Sequence, residues 1–216
     1  VKLLTLVGLS GSGKTLLALA AALEQLKGIG NPDVAHYSKL IVTKPVQPVG
    51  KDIGFLPGTL QEKMEPWISP IKDNLNFLMG NKRGNASRVR GSTKTEGNWN
   101  KTDSNAYLSL MQEKGLIEIE AITFIRGRSI PNSFIVIDEA QNLTMHELKT
   151  IITRVGDGTK IVLTGDIEQI DNVHVDAYTC GLTYAIEKFK EYDIAGHVTM
   201  LKGERSELAT LASQIL

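Results

Sequence analysis

Cysteine is almost missing from this sequence. The single thiol, Cys180, excludes an internal disulfide and any multi-cysteine metal site, and suits a reducing cytoplasm. Surplus charge is missing too. Lysine plus arginine number 24 and aspartate plus glutamate 24, so no global field draws the chain to nucleic acid or membrane, and any basic surface must be local. No apolar run approaches the roughly 20 residues of a membrane span, and no charged-then-apolar signal peptide opens the chain. The expectation is a soluble, cytoplasmic protein with no membrane partner. Internal repeats and a second composition regime are also lacking, so residues 1–216 read as one domain. The first residue is Val1 rather than Met and a strand follows almost at once, which reads as a piece of a longer polypeptide.

What is present is an alternation of short apolar runs with helical periodicity, the mark of β-α-β units wound around a mostly parallel sheet. Leu3 to Val7, Leu40 to Thr43, Phe134 to Asp138 and Ile161 to Thr164 are apolar nearly throughout, as strands covered on both faces are. Further strands are expected around Ile117 to Ile125 and His197 to Leu201. Helices are expected over Thr15 to Gln25, Ala106 to Lys114, from Thr144, over Gly181 to Glu191 and over Ser206 to Leu216, with broken helical spacing from Leu60 to Met79. Thr144 and Glu147 have the spacing of a capping box. Asn81 to Lys101 departs from this grammar. It carries Lys82, Arg83, Arg88, Arg90, Lys94 and Lys101 against Glu96 alone, with almost nothing apolar, and reads as a long polar basic loop.

Three motifs carry chemistry. Gly8-Leu9-Ser10-Gly11-Ser12-Gly13-Lys14-Thr15 matches the Walker A pattern and stands where that pattern must stand, between a buried strand and a helix. Phosphate oxygens need several N–H donors aimed into one small volume, and a glycine-rich turn at a helix N-terminus supplies them. Lys14 then offers a cation to the terminal phosphates of ATP, and the Thr15 hydroxyl can join a Mg²⁺ shell. The second motif, Phe134 to Gln141, ends a strand in two carboxylates. Asp138 is the candidate Mg²⁺ holder, leaving Glu139 to orient or deprotonate the attacking water. Third, Leu163-Thr164-Gly165-Asp166 ends another buried strand, and Gln169 behind it could reach the γ-phosphate or the lytic water and register phosphate loss.

Other stretches carry a family resemblance. Ile41-Val42-Thr43-Lys44-Pro45-Val46, Gly50 to Gly58, Arg126-Gly127-Arg128, Asp138-Glu139-Ala140-Gln141, Thr164-Gly165-Asp166 with Gln169-Ile170-Asp171, and Lys202 to Leu208 closely resemble the PhoH family of ATPases. The resemblance covers essentially the whole chain apart from the basic stretch. Gly181-Leu182-Thr183-Tyr184 and the Lys202 block look most like the PhoH domain of PIN-PhoH proteins, in which an N-terminal PIN ribonuclease domain precedes the ATPase. The resemblance implies a P-loop, RecA-like three-layer fold related to superfamily-one helicases, ATP hydrolysis, and RNA binding or unwinding. No PIN acid cluster lies within these residues, so no nuclease activity is assigned. No upstream glutamine motif reads adenine, which leaves base selectivity open.

Helicases of this lineage place ATP between two RecA-like domains. One holds the phosphates and the other offers an arginine. A single Walker A motif therefore implies a homo-oligomeric ring, a hexamer, with Arg205 as first candidate for the arginine given in trans and Arg128 as second. Lys44 among prolines suits a nucleic-acid backbone, and the basic stretch with Trp99 adds mobile charge and a stacking platform. The competing functions are a small-molecule P-loop kinase and a nucleotide-dependent switch. Glutamate beside the Mg²⁺ aspartate favours a water nucleophile over an acceptor hydroxyl.

Overall fold

The computed structural model describes residues 1–45, 60–86, 101–125 and 127–203. Strand β1 (Leu3–Gly8) leaves the sheet through a glycine turn into helix α1 (Lys14–Glu24). Strand β2 (Lys39–Lys44) precedes the long α2 (Leu60–Ala86) and α3 (Lys101–Glu113), and α3 leads into β3 (Ile117–Ala121) and the single turn α4 (Ile122–Ile125). Strand β4 (Ser133–Ile137) ends in a 3-10 turn, Ala140–Asn142, followed by α5 (Met145–Ile152), β5 (Lys160–Gly165), α6 (Gly181–Phe189) and β6 (Ala195–Met200). The six strands form one sheet in the order β3-β2-β4-β5-β1-β6, with every pair parallel.

Successive strand residues point to opposite faces, and both faces are buried, so the strands must be apolar without alternation. Ile41, Ile135, Ile137 and Leu163 meet Leu148 and Ile151 of α5 and Leu182 of α6 on one side. Leu40, Val42, Val136 and Val162 meet Leu19 and Leu23 of α1, Leu75 of α2 and Leu108 of α3 on the other. Each such side chain removed from water contributes roughly 1.5–3 kcal/mol before entropy is counted. The result is a three-layer α/β/α fold whose strands all deliver their C-terminal ends to one edge.

Four sequence expectations need correction. Strand β3 stops at Ala121, not Ile125, because its ladder partner stops: Lys44 pairs with Ala121, and Pro45 behind it has no N–H to continue. Residues 60–79 are a continuous helix despite Pro66 and Pro70. Those two rings lie four residues apart on the exposed side, where water can satisfy the carbonyls they strand. The polar segment 81–101 is helical at both ends, α2 continuing through Ala86 and α3 beginning at Lys101 rather than Ala106. Leu75 and Met79 anchor the first helix, and Leu108 and Met111 the second. Adding turns to an anchored helix avoids the nucleation cost, so weak local preference suffices. Residues 87–100 of that segment, and the helix expected over 206–216, lie outside the described residues.

Candidate nucleotide site

The loop between β1 and α1 is shaped by its glycines. At Gly8 a Cβ would lie 2.4 Å from the Met200 carbonyl oxygen, so only glycine lets β6 approach the end of β1 this closely. Gly11 and Gly13 hold φ of 81° and 84°, left-handed conformations that glycine adopts without steric cost. Lys14 folds across it, its Nζ donating to the Gly8 and Leu9 carbonyls at 2.6 and 2.8 Å. The ammonium is thereby stationed at the mouth of the helix N-terminus.

Two strands away, β4 delivers Asp138 and Glu139. Asp138 is only 9% exposed, and its Oδ1 accepts from the Thr15 hydroxyl at 2.6 Å and from the Thr164 hydroxyl at 2.6 Å. All three motifs therefore converge on one carboxylate oxygen. Glu139 adopts the left-handed conformation, φ 53° and ψ 40°, at a cost of about 1–2 kcal/mol for a non-glycine residue. Its Oε2 accepts from Gln141 Nε2 at 2.6 Å, and its Oε1 lies 3.8 Å from Lys44 Nζ at the end of β2.

Gln141, fully buried, also donates to the Gln169 carbonyl at 2.8 Å and accepts from the Asp166 N–H at 3.2 Å. Asn142 beside it accepts from the N–H groups of Asp171 and Asn172. The loop after β5 is thus tied to the turn after β4 through two adjacent amides. Between these parts lies a cleft of about 290 Å³, lined by Ser10, Gly11, Gly13, Lys14, Thr15 and Leu16, by Asp138 and Glu139, by Gly165, Asp166 and Gln169, and by Asn74 of α2.

A phosphate-binding loop, a paired carboxylate and a third strand-end loop around one cleft, on this strand order, make a P-loop nucleotide-binding fold. The family model described as PhoH-like protein matches residues 1–215. The chain belongs to the PhoH family. It is 50% identical over its whole length to Protein PhoH2 of Bacillus subtilis, and 35% identical over its whole length to Protein PhoH2 of Mycolicibacterium smegmatis. To the PhoH-like protein of Bacillus subtilis it is 34% identical over 76% of its length. The PhoH chain spans 43%, 43% and 42% of these relatives' own lengths, less than half of each. Among solved structures, the PRRSV helicase overlays with a TM-score of 0.39 at 12% identity, over 92% of this chain and 30% of that one.

The structure brings most of the expected PhoH residues together. Ser10, Gly11, Gly13, Lys14, Thr15, Asp138, Glu139 and Gln169 all line the cleft; Ser12 is buried under the loop, 3.5 Å from Lys14 Nζ, and Gly8 sits at its root. Arg205, Trp99 and residues 50–58 lie outside the described residues. Arg128 is not in the cleft. It bridges Glu118 at 3.2 Å and Glu120 at 3.0 Å on β3, and Lys39 also reaches Glu118 at 2.5 Å.

Burial alone would raise Glu118, but the hydrogen bonds and charges of Lys39 and Arg128 outweigh it and bring the carboxyl below its ordinary value. Glu120 is raised, chiefly by burial, with Arg128 opposing and Glu118 adding. The residue reading missed Asn74, whose helix looked broken. It also gave no separate role to Gln141 or Thr164, whose partners are distant in the chain. Among the described residues no helix is long and apolar enough to cross a membrane.

Proposed function

We propose that this chain binds ATP with Mg²⁺, hydrolyses the ATP, and couples the turnover to binding or unwinding of RNA. The observation that carries the reading is that two adjacent carboxylates are held by different partners. Asp138 is tied by the Thr15 hydroxyl to the loop that holds Lys14 and by the Thr164 hydroxyl to the end of β5, while Glu139 faces Gln141 and Lys44 instead. Thr15 and Asp138 offer hard oxygen ligands and would hold Mg²⁺, which would supply positive charge against the phosphates. Lys14 and the loop N–H groups bind and orient the phosphates. Glu139 takes the proton of the attacking water as its oxygen bonds to the γ-phosphorus and the bond to the ADP oxygen breaks. Gln169 orients that water or senses the departing phosphate.

The RNA half of the reading rests on family membership and on Lys44, a cation at the strand-end edge where ligands of parallel sheets gather. In this reading a homo-hexameric ring supplies an arginine, Arg205, to each cleft from the next subunit. An N-terminal PIN domain in the longer protein and a cytoplasmic location complete the reading.

Phosphate release on thin-layer plates, with and without RNA, tests it. Free phosphate is expected, whereas a labelled acceptor would indicate a kinase and binding without turnover a switch. Lys14→Ala should abolish hydrolysis and weaken ATP binding. Glu139→Gln should bind ATP normally and fail to turn it over; normal turnover by that variant sinks the assignment of the base.

A further inference from the structure

Glu139 is gripped from two sides by groups of unequal commitment. On one side Gln141 is fully buried and its amide is spent three ways, on the Glu139 carboxylate, the Gln169 carbonyl and the Asp166 N–H. It holds Oε2 and leaves Oε1 to face Lys44. On the other side Lys44 makes no hydrogen bond among the described residues. It stands 3.8 Å from Oε1, beyond hydrogen-bond length, with its side chain 27% exposed. An ion pair of that kind, open to water, exchanges readily for another anion. The backbone of Glu139 is meanwhile fixed in the left-handed region, so the freedom left to the carboxylate lies in its side-chain torsions.

We propose that Lys44 is a positioning residue that restrains the Oε1 oxygen of Glu139, and that a nucleic-acid phosphate arriving at the end of β2 withdraws Lys44 and frees that oxygen for the lytic water while Gln141 keeps hold of the other. The inference rests on the reading of Glu139 as the water-activating base and adds to it a route by which RNA stimulates turnover. A phosphodiester oxygen competes with Glu139 for the same ammonium, and β2 and β4 are neighbours, with Thr43 opposite Ile137 and the Asp138 N–H donating to the Thr43 carbonyl at 2.9 Å. The contact is therefore local. No rearrangement of the sheet is needed to pass from phosphate to carboxylate.

Steady-state phosphate release, with and without oligo-uridine RNA, decides the matter for the wild type, Lys44→Met, Lys44→Arg and Glu139→Gln. Lys44→Met should raise RNA-free kcat about fivefold with KM for ATP unchanged, the size expected for a partly exposed pair, and further RNA should add little. Lys44→Arg, which keeps the cation, should show a basal rate well below that of Lys44→Met and recover stimulation by RNA. Lys44→Gln repeats the measurement with a polar side chain should the apolar one perturb folding. A basal kcat at or below wild type in both neutral variants overturns the proposal while leaving the ATPase reading intact. Turnover by Glu139→Gln, or a wild-type chain releasing no phosphate in any condition, overturns the underlying reading and this inference together.

Discussion

Asp138 owes its place to hydroxyls. A carboxylate this deeply withdrawn from water must have its lone pairs satisfied, and Thr15 and Thr164 both donate to the same oxygen. Thr164 itself is fully buried, so Thr164→Val changes shape little while removing one charge-assisted bond. The expected cost is about 1–3 kcal/mol, read as a lower urea midpoint, with a raised Mg²⁺ requirement for turnover. An unchanged midpoint would show that Thr15 alone suffices. At this scale the candidate site was legible wherever its residues are contiguous: Gly8 to Thr15 and Asp138-Glu139 form motifs within single turns of chain. Gln141 and Thr164 were quoted but given no role of their own, because their chemistry comes from partners more than twenty residues distant.

Among the elements, β3 is the edge strand where packing and charge meet. Its Ile117 is buried with the α2 and α3 core, while Glu118 and Glu120 point to the other face against Lys39 and Arg128. Glu118, held below its ordinary value, contributes stability that is present above the unfolded-state pKa and is lost as pH falls through the folded one. Glu120 is raised, so its contribution has the opposite sign: stability falls as pH rises through the unfolded value toward the folded one. Arg128 favours the ionised form of both.

Arg128→Gln should therefore lower the melting temperature most at neutral pH, and the gap from wild type should narrow as pH falls towards about 4. Because Arg128 is 42% exposed, the loss should be about 1 kcal/mol or less. Melts of both proteins across that range check it, and a gap independent of pH would mean packing rather than charge. Strands buried on both faces, and the Thr144 capping box, were readable because burial and capping leave local marks. The end of β3 was not, since it is set by where β2 stops. Nor was the continuity of α2, where exposure of Pro66 and Pro70 matters and sequence does not show exposure.

For the whole molecule, the proposed ring requires that a second subunit wall the nucleotide site. The described residues hold one phosphate loop and one carboxylate pair, all on the C-terminal edge of one sheet. A head-to-tail contact between copies would close that cleft with Arg205 of the neighbour, and such heterologous contacts form rings when their rotation closes. Lys14→Ala and Arg205→Ala subunits, each inactive alone, should regain partial hydrolysis when mixed, because some interfaces then combine an intact loop with an intact arginine. Sedimentation must verify mixed assemblies. Verified mixtures that stay inactive, or full activity in a proven monomer, would rule the shared site out.

The strand order has a further consequence, in the time domain of synthesis. The strand that carries the phosphate loop is made before the other strands of the sheet, yet its two neighbours, β5 and β6, begin at Lys160 and Ala195. Until the ribosome has passed those positions β1 has no ladder to join, a wait of roughly 10–40 s at about 5–20 residues per second. The contact of Gly8 with Met200 fixes the root of the loop and is among the last that the described chain can make. Nucleotide should thus find its cradle only on chains translated nearly to the end of the described fold, and binding it then stabilises the finished sheet over every shorter intermediate.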